Sequence, residues 1–295
     1  MMFRTDLAVE CRELAGKSLP AGVSYHEEIR EDIKTISMHI QDDQGSHALG
    51  KPKGHYITVE TPPFSEAGED IDARLTAVSQ ALSSLLPKNG CILVVGLGNS
   101  AITPDALGPR TASRILATRH LKGEFVRAAG LDGLRSVAVL SPGVLGQTGM
   151  ETGELLAGIV QHIHPSAVIA VDALASRSLD RLGCTVQLSD TGITPGAGVG
   201  NRRALINQES LGVPVIAMGV PTVVDALTLA ADLTHPMPDD EPTIRKKIEP
   251  QGRGMVVTPK EIDLLIDRAA FLLSLSINAA LQPTLSPQDL LSLVS

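Results

Sequence analysis

Two short runs, residues 91–95 (Cys-Ile-Leu-Val-Val) and 167–171 (Ala-Val-Ile-Ala-Val), carry no polar side chain beyond one thiol. A strand without polar alternation has to be covered on both faces, as strands are inside a parallel sheet flanked by helices. The first run passes straight into Gly96-Leu97-Gly98-Asn99, where glycine permits a tight turn and close backbone approach. Asp105 follows in the loop, just ahead of Pro109, a residue suited to the first turn of a helix. The second run ends at Asp172. Open α/β sheets place their sites beyond the carboxyl ends of strands, so both acids are expected at one edge.

The remaining chain alternates in the same way. Ile36, Met38 and Ile40 predict a half-buried strand over 34–41, and residues 56–60 another before Pro62-Pro63. Ile71, Leu75, Val78, Leu82 and Leu85 predict a helix over 70–86. Helices are expected over 109–121, 149–162, 202–210, 222–233 and 259–281, and strands over 136–140, 185–188 and 213–220. The expected fold is a single large α/β domain: three layers, α/β/α, with a mostly parallel central sheet. Residues 1–22 read as a polar, poorly anchored N-terminus. Residues 234–258, dense in proline and charge over 234–251, read as an exposed excursion.

Charge and composition remove several functions. A formal net charge of −8 and a pI near 5.5 argue against a sequence-independent grip on nucleic acid. Four Phe, two Tyr and no Trp leave little surface on which bases could stack. Cys11, Cys91 and Cys184 form neither a disulfide framework nor a CxxC pair, which suits a reducing compartment. The first dozen residues carry Arg4, Asp6, Glu10 and Arg12, unlike a signal peptide, and no uncharged apolar run reaches the roughly 18 residues of a membrane span. A soluble, cytoplasmic protein without membrane contact is expected.

Asp105 and Asp172 lie 67 residues apart, about the length of two helices and one strand between parallel neighbours. Two carboxylates at one site do not both ionise cheaply, so such a pair can supply acid and base together. That is the chemistry of water-activated peptide hydrolysis without a covalent intermediate. The same two residues could equally be loop acids capping helix N-termini. Other chemistries lack their residues. No Gly-x-Ser-x-Gly elbow and no P-loop is present, Pro104 breaks the helix a dinucleotide fingerprint needs, and the eight histidines are scattered. No cofactor or metal site is therefore expected. The loop from Asp190 to Asn201, rich in glycine, could cradle an anion or peptide backbone, or serve only as a lid.

Longer motifs add a resemblance. Leu97-Gly-Asn99 with 103–109 (Thr-Pro-Asp-Ala-Leu-Gly-Pro), 140–144 (Leu-Ser-Pro-Gly-Val), 171–178 (Val-Asp-Ala-Leu-Ala-Ser-Arg-Ser) and the loop from Asp190 to Asn201 resemble the germination proteases of spore-forming bacteria. So do 50–54 (Gly-Lys-Pro-Lys-Gly), 56–60 and 219–226. The likeness covers about residues 3–281. It implies an atypical aspartic endopeptidase that begins degradation of small acid-soluble spore proteins, tetrameric, in the spore core, and made as a self-cleaving zymogen. The family's two proposed catalytic aspartates fall on Asp105 and Asp172, with Gly96, Gly98, Asn99, Asp190 and Asn201 shaping the site.

Residues 4–10 (Arg-Thr-Asp-Leu-Ala-Val-Glu) are similar to the Thr-Glu-apolar-Ala pattern of the family's substrates, so cleavage is expected between Ala8 and Val9. The chain then divides into a propeptide, 1–8, and a peptidase domain, 9–295. The family is distantly similar to the hydrogenase-maturation proteases, in which the corresponding acids contact a metal. A metal-dependent protease using the same acids is thus one alternative, and a non-catalytic α/β ligand-binding protein another.

Overall fold

Strand β4 (Ile92–Gly96) runs parallel to β6 (Ala167–Ser176), with Ile92 opposite Ala167 and Gly96 opposite Val171. The computed structural model describes residues 4–16, 18–66, 71–121, 133–200, 203–233 and 255–294. On its other side β4 pairs in parallel with β5 (Val137–Leu140), and β6 pairs in parallel with β8 (Val215–Asp225). Every residue of β4 is buried. Ile92 and Val94 join one core cluster while Leu93 and Val95 join the other, because successive side chains leave opposite faces of a strand. This two-sided burial is what the apolar runs required.

The first cluster lies under α3 (Ile71–Leu85) and α9 (Ile262–Leu281), the second under α6 (Thr152–Ile163) and α7 (Gln208–Leu211). The three-layer α/β/α architecture follows. Helix α9 alone among the described residues is long and apolar enough to cross a membrane, yet it is a core helix, with Ile266, Ala269, Ala270, Leu273 and Ile277 fully buried.

The sheet departs from the expected mostly parallel arrangement. Beyond β8 lie β7 (Thr185–Ser189), β3 (Gly54–Glu60), β2 (Ile33–Ile40) and β1 (Val23–Arg30), each antiparallel to its neighbour. A short β9 (Val256–Val257) also pairs antiparallel with β8. Only two residues join β1 to β2, a length that closes a hairpin and cannot make a parallel crossover. β1 itself escaped the sequence pattern. It is an edge strand whose residues past Tyr25 are all exposed, so no apolar alternation marks it.

Further expectations change: β8 runs on to Asp225, so the helix expected from 222 is α8 (Ala226–Leu233), and α7 begins only at Gln208. The helix expected over 109–121 stops early, as α4 (Leu107–Ala112). The chain after it is held by the buried Asn278 of α9, whose Oδ1 accepts from Leu116 N at 2.9 Å and whose Nδ2 donates to Arg114 O at 3.0 Å. Residues 4–16 are anchored, not frayed. Helix α1 (Ala8–Leu14) sits under α2 (Asp43–Leu49), with Ala8 and Cys11 against Val23, Ile40 and Tyr56, and Leu7 and Val9 against Ile36 and Leu174. Of the expected excursion, 234–254 lie outside the described residues, as does Asn201.

Candidate functional site

The glycine turn after β4 exists because other backbone occupies the space a side chain would need. A Cβ on Gly96 would lie 2.2 Å from Gly108 O in α4. Gly98 has φ +112, and a Cβ there would lie 2.1 Å from Asp105 O. The chain therefore folds back on itself, and Asp105 ends a 3-10 turn (Thr103–Asp105) directly over the glycines. Asn99 N donates to Asp105 Oδ2 at 2.8 Å. The Asn99 side chain accepts from Ala101 N at 3.0 Å and from Gln147 Nε2 at 2.8 Å, which pins the turn to α5 (Leu145–Thr148). Gly108, which lies within the 103–109 motif without an assigned role, matters as much. A Cβ there would meet Leu97 O at 2.2 Å and Val171 O at 2.5 Å.

Asp172 does not cap its strand, since β6 continues to Ser176. It is instead the first residue of β6 past the end of β4, whose last partner is Val171. From there onward β6 keeps β8 on one side and has no β4 on the other. The residue is 5% exposed, and its Oδ1 accepts Ala173 N at 2.9 Å. Gly219 faces it from β8, where a Cβ would strike Asp172 O at 2.3 Å.

Burial holds the Asp172 carboxyl well above the usual carboxylate range, and the charges of Asp105 and Asp6 push it further in that direction. Burial also raises Asp105, against the opposing pull of the Asn99 N–H. The described hydrogen bonds contain none between the two carboxyls; each is held by a backbone N–H, and they act on one another through charge. Electrostatically the arrangement favours one proton staying on Asp172.

Asp172 lines a cleft of about 560 Å³ together with Leu174, Gln187, Ser189 and Met218; Asp105 is not among the lining residues. Arg4, Thr5 and Asp6 line that same cleft. Asp6 N donates to Ala175 O at 2.9 Å, and Asp6 Oδ2 accepts Ala175 N at 2.9 Å. Burial raises the Asp6 carboxyl, while Lys51 and the N–H groups of Ala175 and Gly198 pull it down. Lys51 Nζ donates to Asp6 O at 3.0 Å, Gln187 Nε2 to the same oxygen at 2.8 Å, and Ala8 N donates to Gln187 Oε1 at 2.5 Å. Gln187 carried no signal in the sequence. Lys51 lay within the 50–54 motif without an assigned role.

The other expected site residues divide. The glycines of the loop after Asp190 close over the N-terminal segment: a Cβ on Gly198 would meet Asp6 Oδ2 at 2.3 Å, and one on Gly200 would meet Arg4 Nη1 at 2.5 Å. Asp190 itself stands apart from the cleft, exposed, accepting His55 N at 2.7 Å with its Oδ2 2.8 Å from His55 Nδ1. Ala8 and Val9 form the buried first turn of α1, at 0% and 2% exposure. Among the described residues no group of three or more His, Cys, Asp or Glu side chains is arranged to hold a metal ion.

The family model described as germination protease matches residues 5–237. A germination protease of Caldanaerobacter subterraneus subsp. tengcongensis is 48% identical, over 98% of this chain and 97% of its own. Germination proteases of Clostridium perfringens and Priestia megaterium are 40% and 36% identical, over 97% and 94% of this chain and 97% and 93% of their own. A [NiFe] hydrogenase maturation protease, HycI, from Thermococcus kodakarensis superposes with a TM-score of 0.39 at 19% identity, over 68% of this chain and 98% of that one.

Proposed function

The chain belongs to the germination protease family, and on that premise we propose an endopeptidase of spore germination in which Asp105 and Asp172 activate water together. The observation that carries the reading is the electrostatic contrast between the two acids. Asp172 is buried and raised further by the charge of Asp105, while Asp105 is only half-buried and keeps an N–H donor. Asp105 is then the natural general base on water, and Asp172, holding the proton, the general acid toward the leaving amine. In keeping with the family resemblance, the substrates are small acid-soluble spore proteins, the compartment is the spore cytoplasm, and the assembly is a homotetramer.

The chain is proposed to be a zymogen. Its residues 4–6 line the cleft beside Asp172, and Lys51 and Gln187 hold the segment at Asp6 O and Ala8 N, so a substrate taking those contacts must displace it. Self-processing at Ala8–Val9, the bond suggested by sequence pattern, requires the buried first turn of α1 to unwind. A specific observation favours Asp6–Leu7 as a second reading: its carbonyl already accepts from both Lys51 and Gln187, as a carbonyl prepared for attack would.

The test is replacement of each acid by Asn, with cleavage of a small acid-soluble spore protein and self-processing followed by intact mass. Loss of both activities in Asp105→Asn and in Asp172→Asn, with an unchanged circular dichroism spectrum, is the expected result. Full activity in either variant eliminates the pair. The N-terminal mass of the wild-type product distinguishes a start at Leu7 from one at Val9.

A further inference from the structure

Gln187 sits on β7, 8% exposed, opposite Gly219 of β8. A buried amide is expected to use its donors and its acceptor. Both hydrogen bonds that its side chain makes among the described residues go to the backbone of the N-terminal segment, one to Asp6 O and one from Ala8 N. The carbonyl of one residue and the N–H of the residue two further on are the groups a neighbouring strand would pair. The Gln187 amide thus stands in for a strand, gripping the chain around Leu7 without reading a side chain. Its orientation is fixed by the partners, since a turned amide would set its oxygen against the Asp6 carbonyl.

Lys51 completes the grip from the opposite element. It reaches from the loop between α2 and β3 to Asp6 O at 3.0 Å and Thr5 O at 3.4 Å. Removal of the segment would open the Gln187 amide to the cleft and take away both of these backbone partners, which another peptide backbone can replace.

We propose that Lys51 and Gln187 form a main-chain clamp for substrate, which the segment 4–8 occupies in the substrate's place. The ligand class is an extended peptide with an acidic residue followed by an apolar one. The acidic side chain is received by the N–H groups of Ala175 and Gly198, and the apolar one by Ile36 and Leu174, as Asp6 and Leu7 are now. The clamp rests on the protease reading above, but it can be tested separately.

The test is a cycle between side chain and peptide backbone. A fluorescently labelled peptide, Arg-Thr-Asp-Leu-Ala-Val-Glu, and its analogue N-methylated at the alanine amide are offered to the full chain, before and after self-processing. Binding is read by fluorescence anisotropy and cleavage by chromatography. N-methylation deletes the one donor that Gln187 Oε1 accepts, so wild-type affinity should fall roughly five- to tenfold, the value of one hydrogen bond. Gln187→Met should bind both peptides equally, near the weakened wild-type level.

A methylation loss of the same size in wild type and variant, or none in wild type, overturns the clamp. Cleavage combined with that result leaves the protease reading standing. Methylation-sensitive binding without cleavage supports the clamp and sinks the protease reading. Absence of both binding and cleavage overturns both. Should Gln187→Met not fold, Lys51→Met paired with a thioamide at the aspartate carbonyl repeats the cycle, with the same expected non-additivity.

Discussion

Asp6 and Ala175 exchange two hydrogen bonds of 2.9 Å, the Asp6 N–H to the Ala175 carbonyl and the Ala175 N–H to the Asp6 carboxylate. The pair extends β6 sideways just past Asp172, on the side where β4 has ended. It also brings a further carboxyl near Asp172, and its charge adds to the upward shift of Asp172.

Docking of the N-terminal segment should therefore weaken with rising pH. Burial raises Asp6 above its ordinary value of 3.8, so the docked segment binds a proton that the released segment gives up more readily. The contribution is fully present below that ordinary value and is lost as pH rises through the raised one. Amide hydrogen exchange across residues 4–9 should show protection falling over this window. In Asp6→Asn, which has no charge to bury, the fall should vanish. An unchanged pH profile in the variant would remove Asp6 from the account.

Asp172→Asn should stabilise the fold at neutral pH while destroying activity. The sign is the same. A carboxyl raised well above its ordinary value stabilises the fold below the unfolded value and loses that contribution as pH rises, so at pH 7 it is a burden. A neutral amide of equal size avoids that burden. The melting temperature should rise by about 2–4 °C at pH 7, a change on the order of 1 kcal/mol for a chain of this size. The gain should shrink toward pH 4. Turnover should fall by roughly 10²–10⁴, the usual worth of positioned acid–base catalysis. A lower melting temperature at pH 7 would contradict the assignment of a burdened carboxyl.

What the sequence reveals of this site follows from how local each determinant is. The apolar runs that became β4 and β6 are local, and so is the turn that aims Asp105, which is why these could be read directly. Asp172 lies at a strand's carboxyl end for a reason its own apolar run does not show: its own strand does not end there, but the neighbouring one does. Lys51 and Gln187 act across 45 and 181 residues of chain on a segment that looked like a loose terminus. No periodicity encodes such contacts. The early stop of α4 is of the same kind, since the Asn278 amide that satisfies Arg114 and Leu116 comes from a helix more than 160 residues on.

Gly98→Ala should separate site geometry from fold. At φ +112, with the Asp105 carbonyl 2.1 Å from where the new methyl must go, the 99–105 loop has to move. The strain should cost about 1–3 kcal/mol, read as a lower denaturation midpoint. The Asn99 N–H to Asp105 contact that holds the base should be lost with it, so activity should drop far more than stability. Wild-type activity in a folded Gly98→Ala protein would show that the position of Asp105 does not depend on the turn.

Glu10 tests whether α1 is held as firmly as the buried Leu7–Val9 stretch implies. Its fully buried carboxylate accepts Arg177 N at 2.7 Å and Ser178 N at 3.0 Å, takes a hydrogen bond from Thr5, and lies 3.7 Å from Arg181 Nη1. The two N–H groups belong to the chain leaving β6, so Glu10 ties α1 to the far end of the strand that carries Asp172. Glu10→Ala removes the carboxylate that those two N–H groups reach and uncouples Arg181 from one of three acids, the others being Glu13 and Glu60. A loss of about 2–4 kcal/mol in urea denaturation is expected. Residues 4–10 should become accessible to an added protease before the rest of the chain. Glu10→Gln, which keeps the shape and one acceptor oxygen, should recover part of that loss. Equal stability of wild type and Glu10→Ala would mean that the apolar contacts of Leu7, Ala8 and Val9 alone hold the helix.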